Sequence, residues 1–516
     1  MPQRNAHAPL AKMCIRDSNT MVRGMFTHQI SLDTVGHNIT NANTAGYSRQ
    51  VVNLSTAQPQ VCYGFYGNYK VGTGNDVDSL IRARDTFADK QYWKENSILE
   101  QANSEYYSLD KLESIFQEPK ETGLQTVLND FWKSWQTLST NASEYSNRVM
   151  VRDKGKALVN SFQLIQKQMK ELVEDNNSSI QLKTESINQI TSEILSLNKS
   201  IKSSECGMNG MANDLRDRRD LLVDQLSSLV KVDVTELSDG TYSISCAGNT
   251  IVSGDGRLEL KTVDSINAEY GFPESTIVEA STGIPLEITG GSMKGCYESR
   301  EKIKGFLDQM TAMTAFMLKD VNDQHRSGYG LDDQTDHNFF GEDGKDYSSL
   351  AYDTAAGEWK LNGAKITANE IMLEFAVNKI FDESGGTDLI AAKTQPKDPA
   401  NPDQEVASGD NAAELAEVLH MKESNTLSKK TLTGYYIGMI GSLGNTTQEI
   451  DNRMTNQENI VAQVEGWRQQ TAGVNWDEEL SNMIRFSTGY KACSRCLTTM
   501  DEMLEKLISG TGVVGR

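Results

Sequence analysis

Seven cysteines and six histidines are the residues of this 516-residue chain with the strongest chemistry. Cys493 and Cys496 stand in a C-x-x-C pair, the spacing of a redox dithiol or of half a zinc site. No second pair and no nearby histidine completes a tetrahedral set, so packing on a helix is the leading reading of both. Cys14, Cys62, Cys206, Cys246 and Cys296 are scattered, and an odd count in a long chain does not read as a disulfide framework. His325 and His337 flank a loop with Asp332, Asp333 and Asp336. Two imidazoles and three carboxylates could ligate a metal there. The stretch lacks the glycine placement and terminal Glu of a calcium loop, and a solvated acidic loop is the plainer reading. The charges of "NDLRDRRDLL" (213–222) read as salt bridges within and between helices. Phosphate-cradling glycine loops, nucleophile elbows and zinc-protease motifs are missing from the sequence. No catalytic, cofactor-binding or metal-ligating residue is assigned, and a non-enzyme without a cofactor is expected.

The gross numbers agree with that. Asp+Glu number 71 against 50 Lys+Arg, a formal net charge of -21. A nucleic-acid partner would need clustered Lys and Arg instead. No run of eighteen apolar residues occurs, so no membrane span is expected, and the first thirty residues lack the apolar core of a secretory signal. Only nine prolines occur, which favours long helices.

The elements that must position any function are helical at both ends. Residues 1–18 have no periodicity, and Met13–Ser18 resembles a translated sequencing-adapter end. They read as a non-native tail, with a disordered natural tail as the alternative, and are set apart. From Met21, the residues Met21, Met25, His28, Leu32, Val35 and Ile39 recur in steps of four and three, the seam of a helix that packs along another helix. "NANTAGYS" ends that helix and turns, and "YSRQVVNLS" reads as extended. At the other end Met483, Phe486, Tyr490, Cys493, Leu497, Met500, Leu504 and Leu507 keep an unbroken seam. A helical tract fills roughly 85–228, with Phe131, Trp132 and Trp135 as a core stripe. The period then switches towards two around an Asp239-Gly240 turn. A helix is predicted over roughly 293–325. Gly- and Asp-rich sequence follows to 410, with "KTQPKDPANPDQ" as an exposed loop tip. Helices resume after Gly409.

The expected fold is α+β: a discontinuous long-helix bundle with coiled-coil helices at the N- and C-termini and one or two inserted β-rich domains. The expected divisions are a tail at 1–18, a terminal coiled-coil domain of 19–60 plus 470–516, and a helical body of 61–229 plus 293–325 and 408–469. A β-rich insert is expected at 230–292, and a second, loop-rich insert at 326–407.

"LDTVGHNITNANTAGYSRQ" (32–50) resembles the N-terminal motif of bacterial flagellar rod, hook and hook-associated proteins, with Ala45 where that family usually has proline. The motif residues are Asn38, Asn41, Asn43, Gly46, Tyr47, Ser48 and Arg49. "NDLRDRRDLLVDQLSSLVKVDV" (213–234), "ITGGSMKGCYESR" (288–300), "VNDQHRSGYG" (321–330) and "SGDNAAELAEV" (408–418) are similar, in order, to the hook-associated protein 1 family. So is the C-terminal helix, although Trp476 stands where a smaller apolar residue is usual. The resemblance implies a structural part of the hook–filament junction, with subunits assembled into a tubular ring. It implies export through the flagellar type III apparatus to an extracellular position. Implied partners are other copies of the chain, the hook protein, the third hook-associated protein and a flagellar export chaperone. The assembly interface expected on the terminal seams comprises Met25, Leu32, Val35, Ile39, Met483, Phe486, Tyr490, Leu497, Met500, Leu504 and Leu507. Another axial protein, of hook or distal rod, remains open, as does an enzyme-bearing flagellar scaffold.

Overall fold

The structure, a computed structural model, describes residues 7–64, 67–116, 118, 123–206, 210–396 and 408–511. Helix α1 (His7–Asn41) leads into strands β1 (Gln50–Thr56), β2 (Gln60–Gly64), β3 (Gly67–Val71) and β4 (Asn75–Arg82). Four helices follow: α2 (Thr86–Phe116), α3 (Leu124–Thr140), α4 (Tyr145–Glu205) and α5 (Asn213–Leu229). Six strands come next: β5 (Asp233–Glu236), β6 (Tyr242–Cys246), β7 (Asn249–Ser253), β8 (Gly256–Arg257), β9 (Leu260–Ile266) and β10 (Pro273–Glu279). Helix α6 (Gly291–Phe316) passes through a π turn into α7 (Asn322–Ser327). The remainder is β11 (Ala351–Asp353), β12 (Glu358–Leu361), β13 (Ala364–Ile366), α8 (Ala368–Glu374), α9 (Asp410–His420), α10 (Leu432–Ala472) and α11 (Trp476–Thr511). All described sheets are antiparallel and small: β1–β4, β2–β3, β5–β6–β7–β8, β9–β10 and β11–β12–β13. The α+β class with long terminal helices is what the seams and the change of period lead one to expect.

The chain forms two compact units. The first comprises residues 1–96, 187–259 and 458–516. Within it α1 and α11 lie side by side and antiparallel, since Asn38 meets Glu479 near one end of the pair and Gly24 meets Cys493 further along. Glycines set the close approach. A Cβ on Gly489 would stand 2.6 Å from the His28 ring, and one on Gly24 would stand 3.2 Å from the Cys493 sulfur. Phe486 adds a ring contact to His28 at 6.2 Å. The two seams thus face each other within one chain. In the same unit the β5–β8 sheet is tied to α4 through Asn198, whose side chain donates to the Tyr242 carbonyl and accepts the Tyr242 N–H. Asp239 and Gly240 make the expected turn, with Gly240 at φ 78° and the Asp239 carboxylate accepting from Thr241.

The second unit comprises residues 97–186 and 260–457. Its core joins α2, α3, α4, α6 and the segment after α7. Of the expected stripe, Phe131 and Trp135 are fully buried, whereas Trp132 is half-buried and stacks on His420 at 4.5 Å. Trp135 and Phe339 meet edge-on at 5.3 Å and Phe339 and Phe340 at 4.8 Å, and the tilted rings of Phe340 and Phe375 stand 5.0 Å apart. Aromatic pairs at such separations add about 0.5–1.5 kcal/mol each beyond the area they bury.

Four boundaries differ from the sequence expectation. Residues 61–64, 67–71 and 75–82, placed with the helical body, are strands, because Val61, Val71, Val77, Leu80 and Ile81 are too few and too spaced for a helix seam. The stretch 230–292 is not one insert: β5–β8 belong to the first unit and β9–β10 to the second. Residues 326–396 do not stand apart from the helices. Their Gly- and Asp-rich sequence carries Phe339, Phe340, Phe375, Phe381 and Ile390 into the main core. Helix α1 also begins at His7, inside the stretch set apart as a tail. Extending a formed helix costs little once it is nucleated, and Pro9 is tolerated in its first turn. The loop tip over 397–404 and the side chains of Cys14, Cys62 and Leu507 lie outside the described residues.

Candidate functional site

The motif at 36–50 sits where the helix pair ends, and all of it belongs to the first unit. Helix α1 stops at Asn41, whose amide donates back to the His37 carbonyl at 3.0 Å and whose oxygen accepts the Thr44 hydroxyl at 3.2 Å. Asn43 is exposed. Gly46 takes the left-handed conformation, φ 78°, and a Cβ there would stand 3.0 Å from that of Leu221 on α5. Both facts demand glycine.

Asn38 is the tie that closes this turn. It is buried, 1% exposed. Its oxygen accepts the Gln50 N–H at 2.9 Å and the Tyr47 hydroxyl at 2.7 Å. Its amide donates to the Gln50 carbonyl at 3.0 Å and to Glu479 at 3.3 Å. One side chain therefore plays the part of a neighbouring strand for the first residue of β1 and reaches α11 as well. Tyr47 also meets the His37 ring nitrogen at 2.9 Å, and burial followed by Asp217, Asp214 and Glu479 pushes its phenol pKa up. Arg49 closes the other side. It donates to Glu479 at 2.7 Å and to Glu478 at 2.8 Å, while its N–H bonds the Ala472 carbonyl at 2.9 Å. Burial opposes the Arg49 charge, but the hydrogen bonds to both glutamates outweigh it and raise the pKa.

Beneath the motif lies a layer of buried charge. The Ser48 N–H donates to Asp217 at 3.0 Å. Arg82, at the end of β4, bridges Asp217 at 2.8 Å and Asp220 at 2.7 Å. Arg84 reaches Asp89 at 2.7 Å and Asp220 at 3.0 Å. Arg468 on α10 joins Asp89 and Asp224, both at 2.9 Å, and Trp93 donates to Asp224 at 2.6 Å. Asp220, with 1% of its side chain exposed, is pulled up by burial but held below the usual carboxylate range by Arg84, Arg82 and Arg219. Asp217 and Asp224 go the other way, because burial exceeds what their partners return. The arrangement clamps α1, α11, β1, β4, α2, α5 and α10 to one another through groups that are costly to bury singly.

The sequence-predicted motif residues converge here, Asn43 apart. The charged run at 213–222 makes salt bridges between elements, as its pattern suggests, with Asp217 and Asp220 buried and Asp224 half-buried one turn further on. Sequence reasoning missed Arg82, Arg84, Asp89, Arg468, Glu478 and Glu479. The three-and-four spacing of those aspartates on α5 was the available signal. On the terminal helices Val35 is buried, and Met25, Leu32, Ile39, Met483, Phe486, Tyr490, Leu497, Met500 and Leu504 are half-buried. Large apolar side chains that the seams do not contain stand outside: Phe26 is 57% and Ile484 69% exposed, with Ile30 and Leu480 also exposed.

The metal reading at 325–337 finds no support in the geometry. His325 is fully buried, with Nδ1 donating to the His337 carbonyl at 2.7 Å and Nε2 accepting the Ala391 N–H at 3.0 Å. Asp333 pairs with Lys393 and Asp336 with Arg326. Among the described residues no group of three or more His, Cys, Asp or Glu could hold a metal. Cys493 packs at Gly24, and Cys496 is exposed, both as free thiols.

Comparison with known proteins points in one direction. Residues 109–340 match the model of the flagellar hook-associated protein FlgK helical domain, and residues 469–510 that of the flagellar basal body rod FlgEFG C-terminal region. The chain is 30% identical to flagellar hook-associated protein 1 of Bacillus subtilis, over 96% of this chain and 98% of that one. It is 26% identical to the protein of the same description from Salmonella typhimurium, over 95% and 99%. In fold it is similar to the flagellar hook junction protein FlgK from Burkholderia pseudomallei, with a TM-score of 0.60 at 18% identity, covering 74% of this chain and 99% of that one. The chain belongs to the flagellar hook-associated protein 1 family.

Proposed function

We infer that this chain is a structural component of the flagellar hook–filament junction and that it works by self-assembly rather than catalysis. The observation that carries this is the terminal helix pair, whose seams are spent on each other while Phe26, Ile30, Leu480 and Ile484 face outward. Burying one such side chain between subunits stabilises by about 1.5–3 kcal/mol. Repeated head to tail around a ring, that stripe becomes an interface, since heterologous contacts between identical subunits generate rings and tubes. In this reading the α1–α11 pair forms the inner layer, and Met25, Leu32, Val35, Ile39, Met483, Phe486, Tyr490, Leu497, Met500 and Leu504 hold it together. The charge layer under Asn38 and Arg49 fixes the pair to the rest of the first unit. The neighbours are other copies, the hook protein and the third hook-associated protein. An export chaperone holds the C-terminal helix before assembly, and the flagellar type III apparatus delivers the chain to the exterior.

Deletion of the gene should leave cells with hooks and no filaments. Phe26→Asp combined with Ile484→Asp should give a folded, exported chain, because both side chains are exposed, yet hook tips without junction rings. Wild-type swimming and normal rings in that double variant would overturn the proposed interface.

A further inference from the structure

A second feature lies in the other unit, in a cleft of about 430 Å³ between α6, β11 and the loop that precedes α10. That volume is within the range of about 300–1,000 Å³ usual for small-ligand sites. Its apolar lining is aromatic: Tyr352, Trp359 and Tyr435. Tyr352 and Trp359 meet edge-on at 5.3 Å, which holds the half-exposed Tyr352 ring in place. Most of its polar lining is neutral and unengaged, the exception being Thr426, whose hydroxyl is bonded to Asp320. Among the described residues, the side chains of Gln309, Thr354, Asn425 and Ser428 have no hydrogen-bond partner within the chain. Two charged groups remain. Asp308 already accepts the Tyr270 hydroxyl at 2.8 Å, and Lys319 donates to the Leu350 carbonyl at 3.1 Å.

The wall that carries Asn425 and Ser428 is rigidly built. Asp320 accepts the hydroxyls of Ser424 at 2.9 Å and Thr426 at 3.0 Å. Ser424 and Lys430 form an isolated bridge, and the Lys429 N–H returns to the Ser424 carbonyl at 2.8 Å. Ser428 and Lys429 are consecutive non-glycine residues with φ of 54° and 61°. Such backbone costs about 1–3 kcal/mol per residue and persists only where the surroundings impose it. The loop presents its polar groups in one conformation, which lowers the ordering cost of binding.

We propose that this cleft binds a sugar unit of a neutral glycan. Sugar C–H groups carry slight positive charge and suit the negative face of an aromatic ring. Sugar hydroxyls are donors and acceptors at once, and they match amides and hydroxyls that have no other partner. A phosphorylated ligand would need more than one lysine already tied to a carbonyl, and a lipid would strip water from a polar rim with nothing in exchange.

The test titrates the full chain with methyl glycosides of glucose, galactose, mannose and N-acetylglucosamine, and with the neutral peptide Gly-Tyr-Gly-Gly, by calorimetry and saturation-transfer NMR. At least one glycoside should saturate. Tyr352→Ala should weaken it at least tenfold and lower the melting temperature slightly through the lost Trp359 contact, and Asn425→Ala and Gln309→Ala should weaken it several-fold with little change in melting, since neither side chain has a hydrogen-bond partner to lose. Absence of saturable binding by every glycoside, saturation by the peptide alone, or undiminished affinity in Tyr352→Ala would each overturn the assignment.

Discussion

Replacing Asn38 tests the junction at its narrowest point. In Asn38→Ala the Gln50 N–H and C=O both lose their partner in a buried place, and Tyr47 and Glu479 lose one each. Each orphaned backbone group costs about 1–3 kcal/mol, so the turn should weaken by about 2–6 kcal/mol. The fitting assay is native-state hydrogen exchange at the Gln50 amide, which reads local as well as global opening. At about 1.4 kcal/mol per decade, exchange should quicken between roughly 30-fold and 10⁴-fold. Asn38→Asp separates the two halves of the bond set. It keeps an acceptor for Gln50 and Tyr47 but loses the donor, and it sets a second carboxylate at the 3.3 Å contact with Glu479. At an effective dielectric of about 20 that repulsion is about 5 kcal/mol before Arg49 offsets part of it. The Asp variant should therefore be at least as damaging as Ala at pH 7 and should recover as acid protonates one carboxylate of the pair. Unchanged Gln50 protection in Asn38→Ala would refute the claim that this side chain closes the turn. An Asp variant milder than Ala at pH 7 would refute the role given to Glu479.

Two further outcomes are expected. Arg82→Met leaves Asp217 and Asp220 buried with fewer partners and should cost about 3–5 kcal/mol in urea unfolding. Adding Asp220→Asn should recover part of that loss, and strict additivity of the two changes would show that the pair is not coupled. Burial pushes the His325 imidazole down to about 4. The unfolded chain, with an ordinary histidine near 6.5, takes up the proton first, so stability is complete above pH 6.5 and falls by up to about 3 kcal/mol as the pH drops towards 4. His325→Gln should be less stable at pH 7 and should lack that share of the acid slope. Parallel stability curves for the two chains between pH 4 and 7 would count against the assignment.

Much of this molecule was legible in order along the chain. The seams of α1 and α11, the switch of period after Leu229, the Asp239-Gly240 turn and the core stripe at Phe131 and Trp135 are all local patterns. Helical and strand periodicity act over a few residues, and burial follows the face they define. The motif at 36–50 was equally visible, since a left-handed Gly46 and helix-ending asparagines leave their mark in composition. What those residues hold was not visible. Arg82, Arg84 and Arg468 look like any surface arginines in sequence, because a buried ion pair and a solvated one use the same letters. Their partners Asp217, Asp220, Asp224 and Asp89 lie up to 379 residues away. The same holds for Phe339, Phe340 and Phe381, scattered through a Gly-rich stretch whose composition suggests a loop. The sequence by itself determined where the long helices run from Met21 onward, which face they bury and which family the motifs resemble. Only the tertiary structure decided which charges were to be neutralised out of water, because that depends on distance in space and on the loss of solvent, and neither is written in the spacing of residues.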